Sequence, residues 1–498
     1  MPERDQRRVP GSTLIFASAI FLISGLSSPA LAQPEPSLQP GGWDAGVALT
    51  EARSTSADPS VVEVTLTART ADVEVAPGRT VHAWTYDGRI PGPLIRAHVG
   101  DRVIVHFTNQ LPDPTTVHWH GVRVPIEMDG VPGISQPEVP PGGTFTYDFI
   151  ARDAGLFWYH PHVMSAAQVG FGLYGALLVE DPHDAVGVAD QLTLVLSDIG
   201  FDESGKLDSP ASGGSAGTVF GREGDYILVN GRIRPTLTVR NGAPQRWRIV
   251  NAAKSRYFRL DLEGQPFTVI GTDGGLQESP RQVDALLVTP GERVDVIVAP
   301  RRGKSGTLQV RSRLYDRGYG SIQYRTAENV FAIAFTDQAP LARRAAPDVH
   351  RAITPPDISH ATKVDVVLTL PPAGPDGTSE FDVNGVPSWR ARPYPAALGE
   401  VQVWTIRNES RFAHPFHLHG FFMLPLDDAL QPLRPMAWKD TINVPVNGTV
   451  RFAVAFDERP GLWMFHCHIL DHAEAGLMGH VSVGGDAATH RHNRDATR

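Results

Sequence analysis

Cysteine is nearly absent from this chain, because its 498 residues contain a single one, Cys467. No disulfide can form within the chain, so its stability must come from packed cores and from bound metal. Basic residues are also in deficit, with 45 Lys and Arg against 54 Asp and Glu, and this acidic balance disfavours nucleic-acid binding. Beyond the N-terminus, no apolar run is long enough to suggest a membrane span.

The N-terminal segment has the pattern of an export signal rather than of a folded domain. A twin arginine, Arg7-Arg8, precedes an apolar stretch from about Leu14 to Leu26 and the small-residue cleavage signal Ala30-Leu31-Ala32. The twin arginine indicates Tat export, with Sec export as the alternative, and the apolar stretch is too short for a stable membrane span. We therefore predict that residues 1–32 are a signal peptide and that the mature protein is periplasmic or secreted.

Glycine and proline are abundant, at 48 and 42 residues, and the short apolar runs between them are typical of an all-β chain. A turn motif recurs three times, each time followed by a glycine and, nine residues after that, an asparagine. The copies are Asp87-Gly88-Arg89 with Gly100 and Asn109, Asn230-Gly231-Arg232 with Gly242 and Asn251, and Asn384-Gly385 with Gly399 and Asn408. Matching turns before matching strands predict three copies of one Greek-key β-sandwich.

Three domains also suit a chain that is too long for one ordinary core. We place the boundaries near 185 and 345, the second within the linker Ala345-Ala346-Pro347. The predicted domains are residues 33–185, 186–345 and 346–485. Residues 486–498 are predicted to be a disordered tail, in which His490 and His492 are solvated rather than ligands.

Histidine is distributed very unevenly along the chain. None occurs between His183 and His350, whereas ten of the 19 fall in four short motifs of the first and third predicted domains. The motifs are His118-Trp119-His120, His160-Pro161-His162, His414-Pro415-Phe416-His417-Leu418-His419 and His466-Cys467-His468-Ile469-Leu470-Asp471-His472. Such clustering indicates metal sites rather than core or surface histidines. A shared site would form where domains one and three meet, with domain two as a spacer.

The fourth motif joins two metal sites within seven residues. Alternate side chains of a strand share a face, so His466 and His468 point one way and Cys467 the other. A metal held by Cys467 would therefore lie one peptide unit from a centre held by the flanking histidines, which is a short path for electrons. Two histidines and a cysteine suit redox copper, and imidazole-only sites suit copper that binds oxygen. Zinc is the alternative metal, but structural zinc sites have four ligands and usually more thiolates.

With these motifs, roughly residues 60 to 484 resemble the multicopper oxidases, a family that includes laccases, ascorbate oxidase and ceruloplasmin. The resemblance implies three cupredoxin domains and four copper ions: one type 1, one type 2 and two type 3. It implies that such a protein oxidises a reducing substrate one electron at a time and reduces O2 to water. The implied ligands are His414, Cys467 and His472 for type 1, His118 and His417 for type 2, His120, His160 and His468 for one type 3 copper, and His162, His419 and His466 for the other.

One position departs from the family pattern. The axial position of the type 1 copper lies ten residues after the cysteine in this family, and here Leu477 occupies it, with Met478 next in the chain. Leucine offers no ligand atom, and the axial ligand tunes the reduction potential, so we predict a higher potential. The alternative is a small bulge that brings Met478 into the axial position.

Reduction of O2 consumes protons, so carboxylates are expected near the trinuclear cluster. Asp129 matches a family position near the type 2 copper and is a candidate proton relay, with a plain Asp-Gly turn as the alternative. Several bacterial relatives place an acid directly after the last histidine, but this chain has Ala473 there. Glu474, one residue later, is a second candidate, which would substitute for that acid as in fungal laccases. The alternative is that Glu474 is a solvated surface charge.

The substrate is the feature that the sequence determines least. Phenols and aromatic amines, as in laccases, compete with Cu(I) or Fe(II), as in metallo-oxidases. The chain has only seven methionines and no Met-rich insertion, which favours the laccase-like interpretation because thioethers favour Cu(I). Phe421, Phe422 and Met423 either line an apolar rim for an aromatic ring or, for at least two of them, form sandwich core.

The expected partners are O2 and a small reducing substrate, and we expect a monomer without nucleic acid. A different class of function is a non-catalytic structural protein that keeps the cupredoxin scaffold without copper, since fold alone does not fix function. Retention of every expected histidine and of Cys467 disfavours that class.

Overall fold

Three two-sheet β-sandwiches follow one another along the chain. The structure is a computed structural model that describes residues 47–184, 186–188, 190–303, 306–318, 327–342, 349–373, 380–386 and 388–485. Within these residues there are 30 β-strands and three short α-helices, so the prediction of an all-β chain is confirmed. The predicted signal peptide and tail lie outside the described residues. The predicted boundaries near 185 and 345 also fall on residues outside them and stay predictions.

The first sandwich has two four-stranded sheets, with the orders β2-β1-β4-β6 and β3-β8-β7-β5. Its elements are β1 (Val61–Ala76), β2 (Arg79–Tyr86), β3 (Ile95–His98), β4 (Arg102–Asn109), β5 (His118–His120), β6 (Thr144–Ile150), β7 (Gly155–His160), α1 (Ser165–Gly170) and β8 (Gly175–Glu180), with a 3₁₀ turn at Ile126–Met128. Alternation along β4 buries Val103, Val105 and Phe107 between the sheets. The strands β5 and β7, which carry histidine motifs, pair antiparallel.

The second sandwich packs a seven-stranded sheet, β11-β10-β9-β13-β18-β15-β16, on a five-stranded sheet, β12-β20-β19-β14-β17. Its elements are β9 (Asp190–Ile199), α2 (Gly214–Phe220), β10 (Tyr226–Val229), β11 (Arg232–Ile233), β12 (Thr236–Val239), β13 (Gln245–Asn251), β14 (Phe258–Asp261), β15 (Phe267–Thr272), β16 (Gly275–Val283), β17 (Ala285–Val288), β18 (Arg293–Val298), β19 (Leu308–Arg313) and β20 (Glu328–Phe335). Its core includes the fully buried aromatic side chains of Trp247, Phe267 and Phe331.

The third sandwich has two five-stranded sheets, with the orders β22-β21-β24-β28-β26 and β23-β30-β29-β25-β27. Its elements are β21 (Thr362–Thr369), β22 (Asp382–Val383), β23 (Tyr394–Ala396), β24 (Val401–Asn408), β25 (His414–Leu418), β26 (Met423–Leu426), β27 (Thr441–Val444), β28 (Thr449–Ala455), β29 (Gly461–Cys467), α3 (Leu470–Glu474) and β30 (Met478–Val483), with a 3₁₀ turn at Ser388–Arg390. The strands β25 and β29 carry the other two histidine motifs and are antiparallel neighbours.

The turn motif that recurs in the sequence has the same conformation in all three sandwiches. Both residues of each pair have positive φ, as a type I′ turn requires; the pairs are Asp87-Gly88, Asn230-Gly231 and Asn384-Gly385. In each pair the first side chain accepts a hydrogen bond from the backbone of the first strand of its own sandwich, at Thr67, Val195 and Val367 respectively. The internal repeat is therefore a structural repeat.

The recurring asparagine is the second structural element of the repeat. In each copy its side-chain oxygen accepts the backbone N–H two residues further on, at Leu111, Ala253 and Ser410. In each copy its amide group donates to two backbone carbonyls, one within the following loop and one 30 to 37 residues further along the chain. Asn109, Asn251 and Asn408 are all buried, and these bonds satisfy polar groups that burial would otherwise leave unpaired.

The sandwiches share apolar surface as well as hydrogen bonds. One hydrophobic cluster combines side chains of the first sandwich, such as Trp158, with side chains of the second, such as Val250, and with Leu470 of the third. This packing brings one end of each sandwich to a common junction. None of the helices among the described residues has the length and apolar character needed to cross a membrane.

Candidate functional site

The four histidine motifs meet where the first and third sandwiches face each other. In the first sandwich, His118 on β5 lies opposite His160 on β7, and in the third, His417 on β25 lies opposite His466 on β29. The two halves interleave, because His118 stacks on His419 with ring centroids 3.9 Å apart and His120 stacks on His417 at 3.8 Å. The predicted junction of domains one and three is therefore the place where these motifs converge.

Hydrogen bonds to main-chain carbonyls fix which nitrogen carries the proton in three of the histidine rings. Nδ1 of His118 donates to the carbonyl of Asp129 at 2.7 Å, and Nδ1 of His160 donates to the carbonyl of Pro161 at 3.0 Å. Nδ1 of His466 donates to the carbonyl of Cys467 at 2.9 Å. Since a carbonyl only accepts, the other nitrogen of each ring keeps its lone pair for a metal.

The ring nitrogens left over are buried and point into one space. Among the described residues, several of them lack any hydrogen-bond partner: Nε2 of His118, His160 and His417, Nδ1 of His120 and both nitrogens of His468. Buried polar atoms without partners are costly in a folded protein, and bound metal cations would satisfy those that face the shared space. The arrangement of these residues therefore fits metal ions held by imidazole.

Three further histidines form a compact group within this space. Nε2 of His466 lies 3.1 Å from Nε2 of His419 and 3.4 Å from Nε2 of His162. His118, His120 and His160 form a second group of candidate ligands, and His118, His417 and His419 a third. His468 completes the surrounding ring, 4.9 Å from His120 and 5.5 Å from His160 between ring centroids.

Two buried aspartates orient these rings from outside. Oδ2 of Asp129 accepts a hydrogen bond from Nδ1 of His419 at 2.9 Å. Burial alone would raise the pKa of Asp129, but His419 and His118 outweigh it and hold that pKa well below its usual range. Gly130 follows with a φ of +79°, and a Cβ there would overlap the carbonyl of Val117, so this Asp-Gly turn requires glycine.

The second aspartate, Asp440, was not found from the sequence. Its carbonyl accepts from Nδ1 of His417 at 2.9 Å, and its Oδ1 accepts from Nε2 of His120 at 3.1 Å. Arg293 of the second sandwich binds its carboxylate through both terminal nitrogens and also donates to the carbonyl of Leu156 in the first. The second sandwich contributes no histidine to this group, yet it supplies a residue that contacts both of the others.

Cys467 lies in a separate cluster on the far side of its own strand. Its Sγ is 3.4 Å from Nδ1 of His414 and 3.8 Å from Nδ1 of His472, and those two nitrogens are 3.2 Å apart. Burial raises the pKa of the Cys467 thiol, lowers the pKa of His414 to about 3 and lowers the pKa of His472 well below its usual range. Both imidazoles are therefore neutral at ordinary pH, in the form that ligates metal.

The two clusters are linked through the backbone around Cys467. The Cys467 side chain faces His414 and His472, whereas the ring of His466, one residue earlier, faces His419 and His162. The Nδ1–H of His466 donates to the carbonyl of Cys467 itself. Side chains on opposite faces of one strand thus connect a thiol-containing site to an imidazole site.

The two candidates for the axial position have different surroundings. Leu477 is 1% exposed and belongs to the apolar cluster that contains Cys467. Its carbonyl accepts the backbone N–H of Cys467 at 3.0 Å. Met478 begins β30, pairs in register with His466 and is half-buried.

Glu474 and the three apolar residues after the third motif differ in their burial and in the sandwich that they contact. Glu474 is exposed as a whole residue, but its carboxylate is partly buried, where one oxygen accepts the backbone N–H of Ala166 at the start of α1. This partial burial raises the pKa of the carboxylate. Phe421 and Met423 are buried in the core of the third sandwich, which confirms the core interpretation for these two. Phe422 is only partly buried and packs against the core of the first sandwich.

Comparison with known proteins gives one consistent family. Family models described as multicopper oxidase match residues 67–184, 190–320 and 359–486. The chain is 32% identical to multicopper oxidase MmcO of Mycobacterium tuberculosis over 84% of this chain and 86% of the relative. It is 26% identical to a laccase of Bacillus subtilis over 80% of this chain and 90% of that protein.

Solved structures agree with the sequence comparison. The chain superposes on a multicopper oxidase of Campylobacter jejuni, described as a metallo-oxidase, with a TM-score of 0.78 and 29% identity, covering 88% of this chain and 94% of the other. Its sandwiches are accordingly cupredoxin-like domains. The chain therefore belongs to the multicopper oxidase family, whose members are copper-dependent oxidoreductases that use O2 as electron acceptor.

Proposed function

We propose that this protein is a laccase-like multicopper oxidase that oxidises phenols or aromatic amines and reduces O2 to two waters with four electrons. It would hold four copper ions. A type 1 ion is assigned to His414, Cys467 and His472, a type 2 ion to His118 and His417, and two type 3 ions to His120, His160 and His468 and to His162, His419 and His466. When bound, copper supplies reversible one-electron chemistry at Cys467 and O2 reduction at the imidazole site.

The observation that carries this proposal is the pair of clusters joined at one strand. The thiol of Cys467 lies within 3.8 Å of two imidazole nitrogens on one face, and the neighbouring His466 ring lies within 3.4 Å of two more on the other. A site for one-electron oxidation and a site for a four-electron acceptor need such a connection. Hydrogen bonds hold the rings of His414, His466 and His472 in place, which would keep their geometry fixed during charge transfer.

The two acidic candidates have distinct proposed roles. The Asp129 carboxylate, 2.9 Å from Nδ1 of His419, keeps that ring in one tautomer and would deliver protons to the imidazole site. Its low pKa keeps it ionised between transfers. Glu474, whose raised pKa brings it closer to neutrality, would take up protons from solvent at the edge of α1. Leu477 at the axial position would give the type 1 copper a higher potential than a methionine would.

The remaining proposals concern location and assembly. Export to the periplasm or outside the cell is supported by the twin arginine and the cleavage signal before residue 33. A monomer is supported by the fact that one chain brings together all of the proposed ligands. The only small molecules required are O2 and a reducing substrate.

Oxygen uptake by the copper-loaded protein tests this function. Catechol and Cu(I) would be supplied separately at matched concentration, with the copper content of the protein measured beforehand. We expect four copper ions per chain and faster uptake with catechol. Faster uptake with Cu(I) would instead assign the protein to the metallo-oxidases and overturn the phenol proposal.

A further inference from the structure

Neither imidazole of the Cys467 cluster is open to solvent. His414 and His472 are both 0% exposed. Nε2 of His414 is 2.6 Å from Oγ of Ser410, and Nε2 of His472 donates to the carbonyl of Val219 at 3.0 Å. A donor molecule therefore cannot contact the edge of either ring unless the protein atoms that cover it move.

The cover over His472 comes from the second sandwich. Residues 212–222, which we name the cap, contain α2 and lie in the connection between β9 and β10. The inner side of the cap is apolar: Val219 is buried in the same cluster as Cys467, and the Phe220 ring lies 5.3 Å from that of Phe412. The outer side, residues 213–216, is exposed.

Arg222 holds the C-terminal end of the cap next to the Cys467 cluster. The backbone N–H of Arg222 donates to Oδ2 of Asp471 at 2.7 Å, and its guanidinium pairs with the other oxygen of that carboxylate. The same guanidinium donates to the carbonyl of Ser212, so it also ties together the two ends of the cap. Asp471 directly precedes His472, which means that the anchor and the covered ring belong to one turn of chain.

The cap has little stability of its own. It contains four glycines, Gly213, Gly214, Gly217 and Gly221, and its helix has only seven residues. Glycine disfavours helix, and helices of this length are marginal without tertiary contacts. The closed position therefore depends on the apolar contacts of Val219 and Phe220 and on the Arg222–Asp471 pair.

We propose that the cap determines donor specificity by restricting access to the His472 edge according to the size of the donor. This inference rests on the proposed oxidation of phenols and adds a selecting element to it. A small phenol needs only a slight displacement of α2, whereas a bulky one needs Val219 and Phe220 to leave their apolar contacts. The cap changes the access of donors to His472 and does not change the residues that would bind copper.

Two variants test the cap by different routes. Arg222→Ala removes the anchor, and the double substitution Val219→Gly with Phe220→Gly removes the apolar contacts while the chain length stays the same. Glu203→Ala, on an exposed turn of the same connection, is the matched control. Loss of a paired, partly buried arginine should raise the open population by roughly tenfold.

The first measurement uses copper-free protein and needs no turnover. Cys467 is buried in the apolar cluster that contains Val219 of the cap, so its alkylation by iodoacetamide reports opening of the cap. We expect alkylation to be roughly tenfold faster in both cap variants and unchanged in the control. Equal alkylation rates in the wild type and both variants would overturn the proposal.

The second measurement compares donors of increasing size, namely catechol, guaiacol and syringaldazine, with Fe(II) as the smallest. We expect the gain in kcat/KM of the cap variants to grow with donor size and to be smallest for Fe(II). An equal gain for every donor would mean that the cap only alters the copper site, which would overturn size selection. If no variant oxidises any phenol while all oxidise Cu(I), the proposed function fails, and the alkylation result alone then decides whether the cap gates this site.

Discussion

Asp129 and Asp440 hold the imidazole site in mirrored ways from opposite sides. Each uses its main-chain carbonyl on a histidine of its own sandwich, Asp129 on His118 and Asp440 on His417. Each uses its carboxylate on a histidine of the other sandwich, Asp129 on His419 and Asp440 on His120. Every one of the four bonds fixes a tautomer, and the two carboxylates also tie the first and third sandwiches together.

The first prediction distinguishes the two proposed roles of Asp129, which are to orient the His419 ring and to deliver protons. Asp129→Asn keeps an oxygen that accepts the Nδ1–H of His419 but loses the proton-carrying carboxylate, so we expect normal copper content and slower O2 reduction. The type 1 copper should still be reduced at the wild-type rate in the absence of O2. Asp129→Ala loses the acceptor as well, and its affinity for copper should fall by about 10–100-fold. Unchanged turnover in Asp129→Asn would remove Asp129 from proton delivery.

The second prediction concerns the buried Arg293–Asp440 pair. Arg293→Met leaves the Asp440 carboxylate buried without its cation, and breaking such a pair costs about 3–5 kcal/mol of folding free energy. Arg434→Ala is the control, because its ion pair with Glu278 involves a side chain that is 62% exposed and should contribute less than about 1 kcal/mol. Urea unfolding of the copper-free proteins measures both effects. Similar losses in the two variants would contradict the role of Arg293 as a bridge among the sandwiches.

The third prediction is the pH dependence of copper binding at Cys467. Burial raises the pKa of the Cys467 thiol and lowers the pKa values of His414 and His472, so between pH 6 and 8 only the thiol must lose a proton to bind copper. The logarithm of the copper affinity at this site should therefore rise by about one per pH unit. Competition with a chelator, corrected for its own protonation and followed by the blue absorption band, measures this slope. A slope near three would mean that both histidines are protonated in the copper-free protein.

The fourth prediction is acid sensitivity of the copper-free protein. Burial lowers the pKa of nine of the ten histidines in the motifs: His120, His160, His162, His414, His417, His419, His466, His468 and His472. Below the unfolded pKa of about 6.5, the unfolded chain binds protons that the folded chain does not, so stability falls as pH falls through that value.

The loss should be steeper than the roughly 1.4 kcal/mol per pH unit that one histidine contributes, since several titrate together. Urea midpoints of the copper-free protein at pH 7.5 and 5.5 measure it. Equal midpoints at the two pH values would show that the buried histidines do not control stability in this range.

The sequence predicted those parts of the molecule that depend on local spacing. The spacing of His466, Cys467 and His468 predicted two sites on opposite faces of one strand, because the alternation of side chains along a strand is a local property. The recurrence of Asn109, Asn251 and Asn408 likewise predicted three sandwiches. Asp440 had no such signal, since its role depends on contact with His120, which is 320 residues away in the sequence.

The contribution of the second sandwich was missed for the same reason. A chain segment without histidine was interpreted as a spacer, yet Arg293 contacts both other sandwiches and Val219 covers His472. Nothing in the spacing of an arginine or in a glycine-rich loop indicates such contacts. They arise only when three sandwiches pack around one junction, and packing across domains leaves no periodicity in the sequence.

The fifth prediction decides between Leu477 and Met478 at the axial position. Leu477→Met places a thioether beside Cys467 and preserves side-chain volume, so the fold should tolerate it at a cost below about 1.5 kcal/mol. Ligation by sulfur changes the axial field of the copper, and we expect a lower reduction potential in Leu477→Met by redox titration of the blue absorption band. Met478→Leu is the matched control and should leave the potential unchanged, because Met478 begins β30 opposite His466. The reverse pattern, with a raised potential in Met478→Leu and no change in Leu477→Met, would assign the axial position to Met478.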